Sequence, residues 1–262
     1  MKQSKIRLYK DKLKGHKDSL VEVYSPQGNK GGLLVSISRD CKLKVWNLFE
    51  RELVLKKFLN RHSTGSQADT DQKVELGSLD MVESVLFNDK TVFCGFGDGS
   101  IYAWNMKEGT LIYHFEGHDD KITTMLWLGP DTFCTSSFDS TVIFWDALNG
   151  VSTCVMKLQH EINQMMRLDD RLYCLCNYKE LNVISIAKKE IELKIEFSEH
   201  TITSILATRT WFLFGDSYSH LYSIRQEDLW VRAVHQERRP EEQPQEEETP
   251  RARRMDPQDV HR

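Results

Sequence analysis

At 262 residues, 40% of them hydrophobic, the chain has ample apolar material for a substantial core in one or two domains. A formal net charge of -4 argues against a protein whose affinity rests on neutralising many phosphates. No run approaches a membrane span, and the six cysteines sit mostly inside apolar runs, where a free thiol acts as a small hydrophobe rather than as part of a disulfide framework.

The first sixteen residues carry charges but no apolar h-region, so they are not read as a secretory signal. A reducing, intracellular location is expected, cytoplasmic with the nucleus as the alternative. Ile6, Leu8 and Leu13 alternate with Lys and Arg, the pattern of a strand with one solvated face. Strands are then predicted at Leu20–Val23, Leu33–Ser38, Leu43–Trp46 and Leu53–Phe58, with a Gly, Pro and Asn loop at Ser25–Gly32. The polar stretch 60–73 cannot form core and reads as an insertion loop, with a docking or modification segment as its functional alternative.

Further strands follow at Met81–Phe87, Thr91–Phe96, Ser100–Trp104 and Thr110–Phe115, the second and third joined by a tight Gly97-Asp98-Gly99 turn. Apolar runs in Gly117–Asp146 precede an outer strand at Val151–Lys157. The pattern continues at Ile162–Leu168, Arg171–Cys176, Leu181–Ile186 and Ile191–Phe197, then at Thr201–Ala207, Trp211–Gly215 and His220–Ile224. Leu229–Val234 reads as a further outer strand or a short helix. Residues 235–262 hold four of the six prolines and almost no large apolar residue, so a disordered tail is expected. Its Arg251, Arg253 and Arg254 read as part of a solvated polyampholyte, a nuclear address being the alternative.

Spacing supplies the stronger signal. Asp40, Asp98 and Asp139 are each followed six residues later by a tryptophan, Trp46, Trp104 and Trp145. Gly-His pairs, Gly15 with His16 and Gly117 with His118, stand before the first and third. Asp98 and Asp139 lie 41 residues apart. Continuing at that step reaches Glu180 and Ile186, while His118, His160 and His200 are spaced by 42 and 40.

The block Gly117–Asp146 resembles a WD40 repeat, whose period of roughly 40 to 45 residues marks one four-stranded propeller blade. The resemblance implies an all-β, WD40-type β-propeller of about five recognisable blades over 1–234, in repeats 14–59, 79–116, 117–157, 158–197 and 198–234, forming a small, open or incomplete ring. It also implies that the N-terminal strand completes the last blade, a place for which 229–234 competes. In such blades a histidine, a serine or threonine, an aspartate and a tryptophan form a buried hydrogen-bond chain. That role passes by resemblance to His118, Ser136, Asp139 and Trp145, to His16, Ser36, Asp40 and Trp46, and to the remnant Asp98 and Trp104. Blades four and five lack both aspartate and tryptophan, with Ile186 and Ile224 in place of the latter. They are expected to rely on apolar packing alone.

His118, Ser136 and Asp139 superficially supply a hydrolase triad, but an active site has no reason to recur at a 41-residue period. No catalytic residue, cofactor or metal is therefore expected. Cys174-x-Cys176 has no second Cys or His pair at finger spacing. The expected role is a non-enzymatic protein interaction scaffold or adaptor, using the face around the central channel. Two alternatives stand beside it: the substrate-recognition subunit of a ubiquitin ligase-type assembly, and an RNA or ribonucleoprotein-binding propeller. Residues beside the aspartate turns, Arg39, Phe138, Tyr178, Lys179 and Tyr218, together with Lys121, would form a basic and aromatic rim suited to acidic peptide segments. Packing against the neighbouring blade is the structural alternative for Phe138. No membrane contact is expected, nucleic acid is not expected as sole ligand, and an open ring would leave strand edges available for self-association.

Overall fold

The computed structural model of the chain describes residues 15–25, 33–39, 42–47, 52–58, 81–88, 90–106, 108, 110–197 and 201–228. The expected strand at 6–13, the insertion 60–73, Asp40, His200, the segment 229–234 and the tail 235–262 lie outside these residues.

Short β-branched and aromatic runs separated by tight turns fold as successive antiparallel meanders. The first sheet is β1 (Leu20–Tyr24), β2 (Leu33–Ser38), β3 (Lys42–Asn47) and β4 (Glu52–Phe58). The second is β5 (Val82–Phe87), β6 (Thr91–Phe96), β7 (Ile101–Asn105) and β8 (Leu111–Phe115). The third is β9 (Ile122–Trp127), β10 (Thr132–Ser137), β11 (Thr141–Asp146) and β12 (Val151–Lys157). The fourth is β13 (Ile162–Leu168), β14 (Arg171–Cys176), β15 (Glu180–Ser185) and β16 (Glu190–Glu196). The fifth is β17 (Ile202–Ala207), β18 (Trp211–Asp216) and β19 (Leu221–Arg225), with no fourth strand among the described residues. Strands are hydrogen-bonded in chain order within every sheet.

The first strands of successive sheets, β1, β5, β9, β13 and β17, pack side by side in sequence order, so the sheets stand as blades around a channel. Among the described residues no packing of that extent joins the fifth sheet to the first, and the ring is open. Apolar clusters fill the four seams between consecutive blades. In the seam between blades two and three, Phe115 and Phe133 each lie within 5.3 to 6.1 Å of the other and of both Phe93 and Trp145, centroid to centroid. Each fully buried aromatic of this size stabilises by about 2 kcal/mol, against about 1 kcal/mol for a single hydrogen bond, so the seams carry the bulk of the stability. Buried on both faces, an inner strand such as β11 carries an unbroken apolar run, Val142–Trp145. The outermost strand β12 is largely exposed.

Register corrects the 41-residue step in the fourth blade. Thr135 pairs with Ile143 and Cys174 with Asn182, so blade four follows blade three at 39 residues in these strands. Tyr178 therefore takes the place of Asp139, and Ile184, not Ile186, takes that of Trp145. The connection from β13 to β14 is only Asp169-Asp170, against 128–131 between β9 and β10, which shortens the blade. The histidine spacing was coincidental too. Ile162 is paired as Ile122 is, at the start of its blade, and the residue four before it is Leu158. Leu158 is buried as His118 is, whereas His160 is exposed.

Candidate functional site

In blades one, three, four and five the loop entering the first strand meets the turn between the second and third strands at one end of the sheet. Backbone N–H groups of Arg39, Phe138, Asn177 and Ser217 donate to the carbonyls of Ser19, Lys121, Glu161 and Thr201 at 2.9 to 3.1 Å. This repeated bond puts the histidine loops and the aspartate turns on one face.

The third blade holds its face with a continuous polar chain. Trp145 Nε1 donates to Thr135 Oγ1 at 2.8 Å, and that hydroxyl lies 2.7 Å from His118 Nε2. The ionised Asp139 carboxylate on the other side of the ring can only accept, so in the neutral tautomer Nε2 is the acceptor and the Thr135 hydroxyl donates to it. The proton on His118 then sits on Nδ1, which donates to Asp139 Oδ2 at 2.7 Å. Asp139 also accepts from Asp119 N at 3.0 Å and from Thr141 N and Oγ1 at 2.7 and 2.6 Å.

Thr135 rather than Ser136 carries this chain. On β10 successive side chains face opposite ways; Thr135 points with Phe133 toward Trp145, while Ser136 lies 2.9 Å from Thr123 Oγ1. The first blade repeats the arrangement, with His16 Nε2 and Trp46 Nε1 both 2.8 Å from Ser36 Oγ. The sequence contains the signal for Thr135, since it stands ten residues before its tryptophan, as Ser36 does. In the second blade Cys94 occupies that position, and Asp98 accepts from Ser100 N and Oγ, closing its own turn.

Blades four and five do not rely on apolar packing alone. Buried Glu180 accepts from Asn182 Nδ2 at 2.6 Å and from Lys194 Nζ at 3.0 Å. In blade five Asp216 accepts from the backbone N–H groups of Tyr218 and His220, from His220 Nδ1 at 2.9 Å and from the Tyr222 hydroxyl at 3.1 Å. Asp216 stands at the end of β18, paired with Ile202 as Ser137 is with Ile122, so it falls two positions before the place of Asp139 in its blade, which is why spacing alone hides it.

Burial by itself would raise the pKa of Asp139, but the hydrogen bonds from His118, Thr141 and Asp119 outweigh it and hold the carboxyl well below the usual range. The same balance, with donors from His220, Tyr218 and Tyr222, depresses Asp216. A carboxyl depressed in the folded state contributes stability that is complete above its unfolded pKa, about 4, and is lost as pH falls toward the native value. Urea unfolding followed downward from about pH 6 is expected to show this loss setting in below about pH 4, with a shallower fall for Asp139→Asn. Burial pushes the Cys134 and Cys176 thiols up to about 12 and raises Cys174 further from thiolate character. Among the described residues no group of three or more His, Cys, Asp or Glu could hold a metal ion.

On the face itself, Arg39 Nη2 and Lys121 Nζ converge on one oxygen of Glu83, at 2.9 and 3.2 Å. Lys121 Nζ also lies 5.6 Å from the Phe138 ring centroid, within cation–π range. Three blades are thus joined by one largely buried carboxylate, leaving Arg39, Lys121 and Phe138 partly exposed beside it. Sequence reasoning missed Glu83. Its signal is that the equivalent second positions of the first strands are Val21, Thr123, Asn163 and Thr203, none of them charged. Tyr178 and Lys179 stand on the blade-four turn, where Tyr178 N donates to Asn163 Oδ1 at 2.8 Å. Tyr218 stands on the blade-five turn and is 70% exposed. These side chains share the face with the Arg39 group but occupy separate turns.

A family model described as WD domain, G-beta repeat, matches residues 8–47 and 109–146. F-box/WD repeat-containing protein sel-10 of Caenorhabditis elegans is 38% identical over 53 residues, 20% of this chain and 9% of that protein. Pre-mRNA-processing factor 17 of Homo sapiens is 21% identical over 146 residues, 44% of this chain and 25% of that protein. The chain therefore spans a quarter or less of the length of these relatives. Among solved structures, the C-terminal WD40 domain of Sif2 superposes with a TM-score of 0.64 at 15% identity, covering 84% of this chain and 58% of that one.

Proposed function

We propose that this chain, a propeller whose residues 8–47 and 109–146 match WD repeats, works as a non-enzymatic protein interaction scaffold whose contact surface is the face bearing Arg39, Lys121 and Phe138. The observation that carries this reading is the convergence of two cations on Glu83 beside a partly exposed aromatic ring. A carboxylate on a partner segment can share Arg39 and Lys121 with Glu83, while Phe138 offers the apolar anchor that interfaces concentrate their energy on. Tyr178, Lys179 and Tyr218 extend the surface across the next two blades. An acidic peptide segment with a hydrophobic residue close to its carboxylates fits this chemistry.

The non-enzymatic part of the proposal rests on where the reactive groups are spent. Both ring nitrogens of His118 are engaged, its side chain has no exposure, and the Thr135 hydroxyl is buried between imidazole and indole. A nucleophile must reach substrate, and the Thr135 hydroxyl beside His118 does not.

Affinity purification of the full chain from cells, wild type beside Phe138→Ala combined with Arg39→Glu, tests the proposal. The double variant is expected to lose the wild-type partners by about tenfold or more while keeping its circular dichroism spectrum. An unchanged partner set would refute it.

A further inference from the structure

Two series of equivalent residues run through the five blades, and each breaks at one end of the open ring. The first residue of each first strand is Leu20, Val82, Ile122, Ile162 or Ile202, each paired with the last residue of the strand beside it. Val82, Ile122, Ile162 and Ile202 are all 0% exposed, because each is pressed against the preceding blade; Leu20 is 55% exposed. Three residues on, Val85, Met125, Met165 and Ile205 are buried, whereas Val23 is 45% exposed.

The second series faces the other way. Leu43, Ile101, Val142, Leu181 and Leu221 are paired with the penultimate residues of their neighbouring strands. The first four are at most 1% exposed, covered by the following blade, and Leu221 is 76% exposed. Leu206, on the first strand of the same blade, is 52% exposed, while its counterparts Leu86, Leu126 and Met166 are partly buried. Other exposed apolar residues, such as Ile112, Val151, Val155 and Ile191, lie on outermost strands, where no blade ever packs.

The occupant that each bare face requires is thus defined four times over within the chain. Leu206 and Leu221 need the leading face of a blade, an apolar pair three residues apart on a first strand. Blade one carries such a face, with Leu20 and Val23 uncovered. We propose that a second copy of this chain supplies it: blade five of one copy packs against blade one of the other, extending the seam that already joins consecutive blades. The contact is heterologous, and used twice it closes a reciprocal pair. It employs the flanks of the ring, leaving the face of Arg39 and Phe138 open.

Light scattering coupled to gel filtration, on the full chain at tens of micromolar, is expected to give a species of at least twice the 30.6 kDa chain mass. Leu221→Arg and Val23→Glu, each at an exposed position, should weaken association by at least about tenfold with unchanged circular dichroism, while Leu148→Arg, on an exposed turn, should not. Mixing the Leu221→Arg and Val23→Glu chains should restore association, because blade five of the second and blade one of the first are intact. A monomeric wild type would overturn the proposal, as would association indifferent to Leu221→Arg, or a mixture that stays monomeric.

Discussion

Thr135→Val is expected to destabilise the protein by about 3 kcal/mol, and Ser136→Ala by only about 1 kcal/mol, in urea unfolding at neutral pH. Valine matches threonine in shape, so packing is kept and the loss isolates the hydroxyl. Without it two buried groups, Trp145 Nε1 and His118 Nε2, are left without the partner that joins them. Each orphaned group costs about 1 to 3 kcal/mol. Ser136 holds only Thr123, and Thr123 Oγ1 also donates to the Ser136 carbonyl at 3.2 Å, which the alanine variant keeps. Equal losses in the two variants would mean that the chain through Thr135 does not fix the blade.

Gly99→Ala is expected to destabilise by a similar amount, about 3 kcal/mol, read as a fall in the urea midpoint with little change in slope. Gly99 has φ of +86°, outside the region comfortable for a residue with a Cβ. A Cβ there would also stand 2.5 Å from the His118 carbonyl oxygen and 2.9 Å from that of Asp120. Backbone cannot rotate away as a side chain can, so the turn of blade two and the histidine loop of blade three must separate. Gly215→Ala provides the comparison: its added Cβ would meet only the His220 carbonyl at 3.8 Å, and a small effect is expected.

Much of the fold is legible from the residues alone. Strand after strand falls where β-branched and aromatic runs end at Gly, Asp and Asn turns. β2, β6, β12, β13 and β14 begin and end as the run lengths predict. The local chemistry of a turn is also legible: in blades one and three, a hydroxyl residue ten before a tryptophan marks the centre of the polar chain. Where a copy loses aspartate and tryptophan, counting fails. A hairpin can lose residues without moving the blade, as the Asp169-Asp170 turn does, and polar satisfaction can be met by other residues at other positions. Glu180 with Lys194, and Asp216 with His220 and Tyr222, are such substitutes. A search for the original residues cannot find them.

The sequence by itself determined the repeat, the antiparallel meander within each blade and the pairing of histidine with tryptophan, because these depend on contacts between residues close along the chain. Tertiary structure alone decided what happens between blades. Arg39, Glu83 and Lys121 lie more than 35 residues from one another and meet because adjacent blades bring their turns together. The same geometry distinguishes Leu221 from Val142 and Leu20 from Ile122. Residues of one kind at one position of the repeat are core or surface according to whether a neighbouring blade stands beside them, and that is a property of the ring rather than of any single repeat.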